Sequence, residues 1–164
     1  MPQNAIKLTA ETAPDMIKAV IVNIGNHYFG AVIDNVQDII QRNPTTPVPL
    51  TDDKVIGLLN LRGHIVTEID VARTLNIHYS PDFEKDGGYS IVINRNGEMY
   101  SLVFEGIGDV IDIPTDDVEK LPDTINSEWI EISRGVYRME GRLVVLLDFD
   151  LLIKHITPES TAMV

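Results

Sequence analysis

Acidic side chains outnumber basic ones 25 to 13 in this 164-residue chain, a formal charge of −12. That excludes a broad phosphate-binding face, which needs clustered Lys and Arg to displace counterions, so nucleic acid is not an expected partner. No cysteine is present, which removes disulfides and thiolate metal sites, and a hydrophobic content of 44% suits one domain or two small, closely packed halves.

Residues 1–16 are polar and carry Pro2 and Pro14, the pattern of a flexible arm. They show no basic stretch followed by an apolar core, and no later segment is apolar for about 18 residues, so neither a leader nor a membrane span is expected and the expected address is the cytoplasm. Residues 19–24 (AVIVNI) form a short β-branched run, Gly25-Asn26 is a turn pair, and residues 28–33 return as the second arm of a hairpin. Residues 36–40 (VQDII) continue as a strand. Residues 43–49 are a proline-rich connection, because proline lacks the donor that a central strand needs. Residues 55–61 and 64–69 make a second hairpin around Arg62-Gly63, and Asp70 is placed to cap a short helix over residues 71–75.

The polar, glycine- and proline-bearing stretch 80–88 (SPDFEKDGG) separates two halves, about 17–79 and 89–156, after which the pattern restarts. Residues 89–94, Asn96-Gly97 and 99–104 form a hairpin. At one offset Ile21-Val22-Asn23 falls on Val92-Ile93-Asn94, Asp34 on Glu105, and Asp38 on Asp109. At a longer offset the segment 57–70 (GLLNLRGHIVTEID) falls on 135–148 (GVYRMEGRLVVLLD), so Gly57 matches Gly135, Gly63 matches Gly141 and Asp70 matches Asp148. The difference places an insertion at 114–131, where 116–120 is expected to form a helical turn and Trp129 supplies the only indole. A helix over 148–155 and a polar tail, 157–164, end the chain. Two copies of about five short strands, each closed by a capped helix, predict a mainly β fold of two small barrels related by duplication. Closure removes exposed sheet edges, and the seam between the halves is expected to be a groove.

Chemistry is thin. Asp70 and Asp148 are equivalent carboxylates, as an aspartic-type hydrolase requires, but that chemistry needs tight, small-residue loops, and IDVA and LDFD run into helices instead, so capping is the better reading. Asp148 and Asp150 have no further metal ligand nearby in sequence. His27, His64, His78 and His155 are scattered without ligand spacing, and Ser101, Ser127 and Ser133 have no histidine close by. No catalytic residue, metal or cofactor is expected. What remains is the Arg62 tip, a guanidinium on a rigid ribbon flanked by apolar arms, which makes a good protein anchor with Asp38 as its acidic partner.

At these residues the sequence resembles the bacterial chemotaxis coupling protein family, CheW. The family's VQE-I strand, GxxNLRGxIxPxxDL hairpin and late DGRLxxLLDxxxLL segment appear here as VQDII (36–40), GLLNLRGHIVTEIDVA (57–72) and MEGRLVVLLDFDLLI (139–153), within a match running over 19–155. Asp38 replaces the usual longer acid, and Thr67-Glu68 stands where a proline is common. The resemblance implies a CheW-like domain over 17–156 of two interleaved, SH3-like five-stranded β-barrels with a C-terminal helix, and a non-catalytic adaptor. Its implied partners are the cytoplasmic tip of a chemoreceptor (methyl-accepting chemotaxis protein) and the regulatory domain of the histidine kinase CheA, at membrane-associated receptor arrays. Carried over by position, Val36, Asp38, Gly57 and Arg62 are expected to bind the receptor, and Ile40, Asn60, Leu61 and Ile65 the kinase. A CheW-like scaffold of a pilus or surface-motility pathway is the competing expectation.

Overall fold

The computed structural model describes residues 15–156 apart from Asn35, Pro44, Pro49, Leu50, Thr51 and Lys85. Residues 1–14 of the expected arm and the tail 157–164 lie outside the described residues. In chain order the elements are β1 (Met16–Ile24), β2 (His27–Val32), β3 (Val36–Gln41), β4 (Val55–Leu61), β5 (His64–Ile69), α1 (Val71–Leu75), β6 (Tyr89–Arg95), β7 (Glu98–Phe104), β8 (Gly106–Pro114), a 3-10 turn (Thr115–Asp117), α2 (Ser127–Glu131), β9 (Ser133–Met139), β10 (Arg142–Leu147) and α3 (Phe149–Ile156).

Local chemistry explains most of these boundaries. Three hairpins turn on two residues with positive φ, Arg62-Gly63 (+54° and +84°), Asn96-Gly97 (+55° and +87°) and Glu140-Gly141 (+52° and +75°). That is the type I′ geometry whose twist matches the strands it joins. Asp70 Oδ1 accepts from the Arg73 amide at 3.0 Å and Asp148 Oδ1 from the Leu151 amide at 3.1 Å, so each starts its own helix. The turn expected at 116–120 is a 3-10 turn at Thr115–Asp117, because Glu119 is already drawn into pairing with β9.

The strands form two five-stranded sheets, ordered β8-β1-β2-β10-β9 and β3-β6-β7-β5-β4. Each sheet takes one hairpin from one half of the chain and three strands from the other, so the halves exchange their first hairpins. The exchange is symmetric: β2 pairs parallel with β10 (Gly30 opposite Leu146), and the equivalent β7 pairs parallel with β5 (Ser101 opposite Glu68).

Both sheets close the same way. Beyond β8, Glu119 exchanges two backbone hydrogen bonds with Val136 of β9, and beyond β3, Thr46 exchanges two with Leu58 of β4, at 2.8 and 2.9 Å in each case. The repeat-equivalent glycines stand at these closures. A Cβ on Gly57 would overlap the Thr46 carbonyl oxygen, and one on Gly135 would sit 2.5 Å from the Glu119 carbonyl oxygen. Only glycine admits such approach.

Closure and strand exchange together produce three cores. Ala19, Ile21, Val32, Ile113, Val144 and Leu146 fill the β1-containing barrel, and Leu59, Leu61, Val66 and Val92 fill the other. Alternate residues of the same strands, Val20, Val22 and Ile24 on β1 with Ile91 and Ile93 on β6, face a third and larger core shared by both sheets, α1 and α3. Burial on both faces accounts for the unbroken apolar runs AVIV (19–22) and IVI (91–93). The seam, expected as a groove, is therefore filled by 20 buried residues. The insertion seals part of it: Trp129 of α2 packs on Phe29 with ring centroids 5.6 Å apart and donates from Nε1 to the Leu75 carbonyl, 2.9 Å, at the end of α1.

Candidate functional site

The Arg62 turn carries the site. Asn60, at the end of β4, accepts at Oδ1 from the Gly63 amide at 3.0 Å, which pins the turn. On this fixed ribbon Arg62 projects outward, its side chain 73% exposed, and its Nη2 lies 2.9 Å from Asp38 Oδ2 on β3. The other Asp38 oxygen accepts from the Ile39 amide at 2.9 Å, so the carboxylate is oriented before the guanidinium reaches it. Beneath the pair lies a depression of about 370 Å³ lined by Gln37, Leu61, His64, Val92, Asn94 and Met99. A cation, an anion and an apolar floor are thus presented together.

The remaining expected site residues divide. Val36 begins β3 half-buried and packs against the shared core. Gly57 is buried, and its missing side chain admits the Thr46 backbone, so within this molecule its use is barrel closure. Ile40 and Leu61 face the interior of the barrel, with Leu61 also lining the depression under Arg62. Asn60 is exposed, and Ile65, opposite it in register, is 72% exposed. The eight residues therefore form a charged cluster around Arg62 and an outward pair, Asn60 and Ile65, backed by inward supports.

The family model of the CheW-like domain matches residues 18–157. The chain belongs to the CheW family. The chemotaxis protein CheW of Thermotoga maritima is 29% identical over 125 residues, 76% of this chain and 80% of that one. The CheW of Klebsiella aerogenes is 26% identical over 147 residues, 90% and 86% of the two chains. The crystal structure of the scaffolding protein TtCheW from Thermoanaerobacter tengcongensis superposes with a TM-score of 0.73 at 20% identity, covering 85% of this chain and 88% of that one, which shows the shared fold. CheW proteins are chemotaxis scaffolds, and the two SH3-like barrels described above are their architecture.

Against this CheW background the carboxylate pair loses its enzymatic reading. Asp70 and Asp148 each cap their own helix, and Asp148 Oδ2 is further held by Arg134 Nε at 2.9 Å, so each carboxylate works within its own half instead of in the shared pair an aspartic-type hydrolase demands. Asp150 lies 3.6 Å from Arg95, and among the described residues no three His, Asp or Glu side chains converge on a metal position. His27 packs edge-on against Trp129, and His155 Nδ1 lies 3.6 Å from Glu131.

Two features escaped the sequence reading. Glu68, fully buried, is paired with Arg42 at 2.9 Å, and α2 docks through Trp129. The departure at Thr67-Glu68 was the available signal for the first, since a carboxylate at an inward position of β5 requires a buried partner.

Proposed function

We propose that this CheW-family chain is a non-catalytic cytoplasmic adaptor that couples chemoreceptor tips to the regulatory domain of the histidine kinase CheA at receptor arrays. The observation that carries the reading is the Arg62–Asp38 pair, 2.9 Å apart on a pinned turn at the rim of a depression of mixed polar and apolar lining. An exposed ion pair contributes only about 0–1 kcal/mol to stability, so its organisation serves recognition better than folding. A helical receptor tip would set apolar side chains over Leu61 and Met99, while Arg62 and Asp38 supply charged partners that fix its register. The outward Asn60 and Ile65 support a separate kinase face on the same hairpin, since a 72% exposed isoleucine beside a polar neighbour suits the anchor of a second interface.

Reconstitution with CheA and a receptor cytoplasmic fragment, scored by kinase activation, tests the assignment. The wild-type chain should raise kinase activity, and Arg62→Glu should abolish the rise while circular dichroism stays native. Activation by Arg62→Glu at the wild-type level would overturn the receptor-side reading.

A further inference from the structure

Because the barrel is built twice from equivalent residues, the two copies can be compared position by position, and their interiors differ at one level. In the β1-containing barrel, Leu146 lies opposite Gly30 in parallel register, with Ile113 and Ala19 beside them, all apolar. The equivalents in the other barrel are Glu68 opposite Ser101, with Arg42 and Ser90. Leu146 fills the space above Gly30 so closely that a Cβ there would lie 2.7 Å from its Cδ2. Where that leucine stands in one barrel, the other buries a carboxylate.

The carboxylate is fully engaged. Glu68 is 0% exposed and Arg42 6%. Arg42 donates from Nη2 to Oε1 at 2.9 Å and from Nε to Oε2 at 3.4 Å, while Thr45 Oγ1 donates to Oε1 at 2.6 Å. Arg42 Nη1 also donates to the Gly87 carbonyl at 3.1 Å. A buried pair of this kind is no more stabilising than well-packed apolar residues of similar size, and the first barrel demonstrates that the same scaffold accepts isoleucine and leucine there. Stability does not explain the pair, and geometry does. Arg42 follows β3, the strand that carries Asp38, and Glu68 sits on β5, in the hairpin that carries Arg62. These two elements are opposite ends of their sheet, and Thr46 and Leu58 form a backbone bridge across the gap among the described residues. The same gap is spanned by one ion pair at the surface, Asp38–Arg62, and one inside, Arg42–Glu68, with the signs reversed. In the first barrel the surface positions are Asp109 and Glu140, two acids, and the inner positions carry no charge. Surface clamp and interior pair occur together in one barrel and are both missing from those positions in the other.

We infer that Arg42 and Glu68 are positioning residues for the Arg62 turn: their interior ion pair sets the separation and angle of β3 and the β4–β5 hairpin, and so the arrangement in which Asp38 and Arg62 meet a partner. The identity of that partner rests on the adaptor reading above, whereas the positioning itself does not.

The test grafts the first barrel's solution onto the second, as Arg42→Ile with Glu68→Leu and Ser101→Gly in the full chain. The variant should melt no lower than the parent, the Arg62 Nε and Gly63 amide resonances should shift or broaden in its NMR spectra, and affinity for a receptor cytoplasmic fragment should fall about tenfold, the size of an ordinary hot-spot loss. In an Arg62→Ala background the graft should cost no further affinity, which a general loss of structure would not reproduce. Unchanged Arg62 and Gly63 resonances in a folded variant would overturn the inference. Shifted resonances with unchanged affinity would support the positioning and overturn instead the receptor role of the clamp. If the graft does not fold, Glu68→Gln, which keeps the shape and an acceptor for Thr45, carries the same measurements: a smaller shift at the same two resonances supports the inference, and none overturns it.

Discussion

Replacing Arg62 by asparagine separates the two things this position does. Its backbone sits at φ +54°, where an arginine is strained by about 1–2 kcal/mol and asparagine is tolerated. The chain supplies its own control, since Asn96-Gly97 makes the same turn at +55° and +87°, with Asn94 accepting from the Gly97 amide just as Asn60 accepts from that of Gly63. Relief of strain should contribute about 1 kcal/mol, and loss of an ion pair whose arginine is 73% exposed should remove about 0–1 kcal/mol, so stability should be unchanged or slightly higher. On the scale of a chain this size that is a rise in melting temperature of about 0–4 °C. Binding should move the other way, because asparagine cannot span to Asp38 or offer a charge, and affinity for a receptor fragment should drop at least about tenfold, or 1.4 kcal/mol. Urea unfolding followed by circular dichroism, together with titration calorimetry against the fragment, reads both quantities on one sample. A variant that binds like the parent, or that loses more than about 1 kcal/mol of stability, would refute the division of labour between turn and clamp.

Other perturbations probe the scaffold behind the site. Gly57→Ala should force Thr46 away from Leu58 and break both closing hydrogen bonds, costing about 2–3 kcal/mol in chemical denaturation; a variant of native stability would dismiss barrel closure as the reason for this glycine. Trp129→Phe should cost about 1 kcal/mol by removing the hydrogen bond to the Leu75 carbonyl, and Trp129→Ala should cost more because the packing on Phe29 and His27 goes too; equal midpoints for the two variants would refute that account. Burial raises the Glu105 carboxyl, but hydrogen bonds from Ser80 and Gly25 outweigh it and hold the pKa below the ordinary glutamate value. Its contribution is therefore complete above the unfolded-state pKa and is lost as pH falls through the folded-state value. Glu105→Gln should accordingly be less stable than the parent near neutrality, with the gap narrowing on acidification, and a gap constant from neutral to acid pH would contradict this.

The assignment of function to one barrel follows from how duplication was used. Both copies keep what closure requires, Gly57 with Gly135 and the type I′ glycines Gly63 with Gly141. They part where charge is concerned, Arg62 against Glu140 and Glu68 against Leu146. Scaffold positions answer to sterics that are identical in the two barrels, whereas under the proposed function the charged positions answer to a partner that need meet only one of them.

Read alone, the sequence determined the hairpins and the helix starts, because each depends on neighbours a few residues away: a positive-φ pair can turn a ribbon, and an aspartate can satisfy the first amides of the helix behind it; the doubling is legible because residue order itself repeats. The sequence also offered Asp38 as the acidic partner of Arg62, from two separate motifs of the family resemblance. Which half lends its first hairpin to which sheet was decided only in three dimensions, because both copies present strands apolar on both faces and either pairing satisfies that pattern. The same holds for the filled seam, for α2, and for Arg42 with Glu68. Charged residues spaced apart along the chain read as solvated ones until the closing of a barrel takes the water away from both.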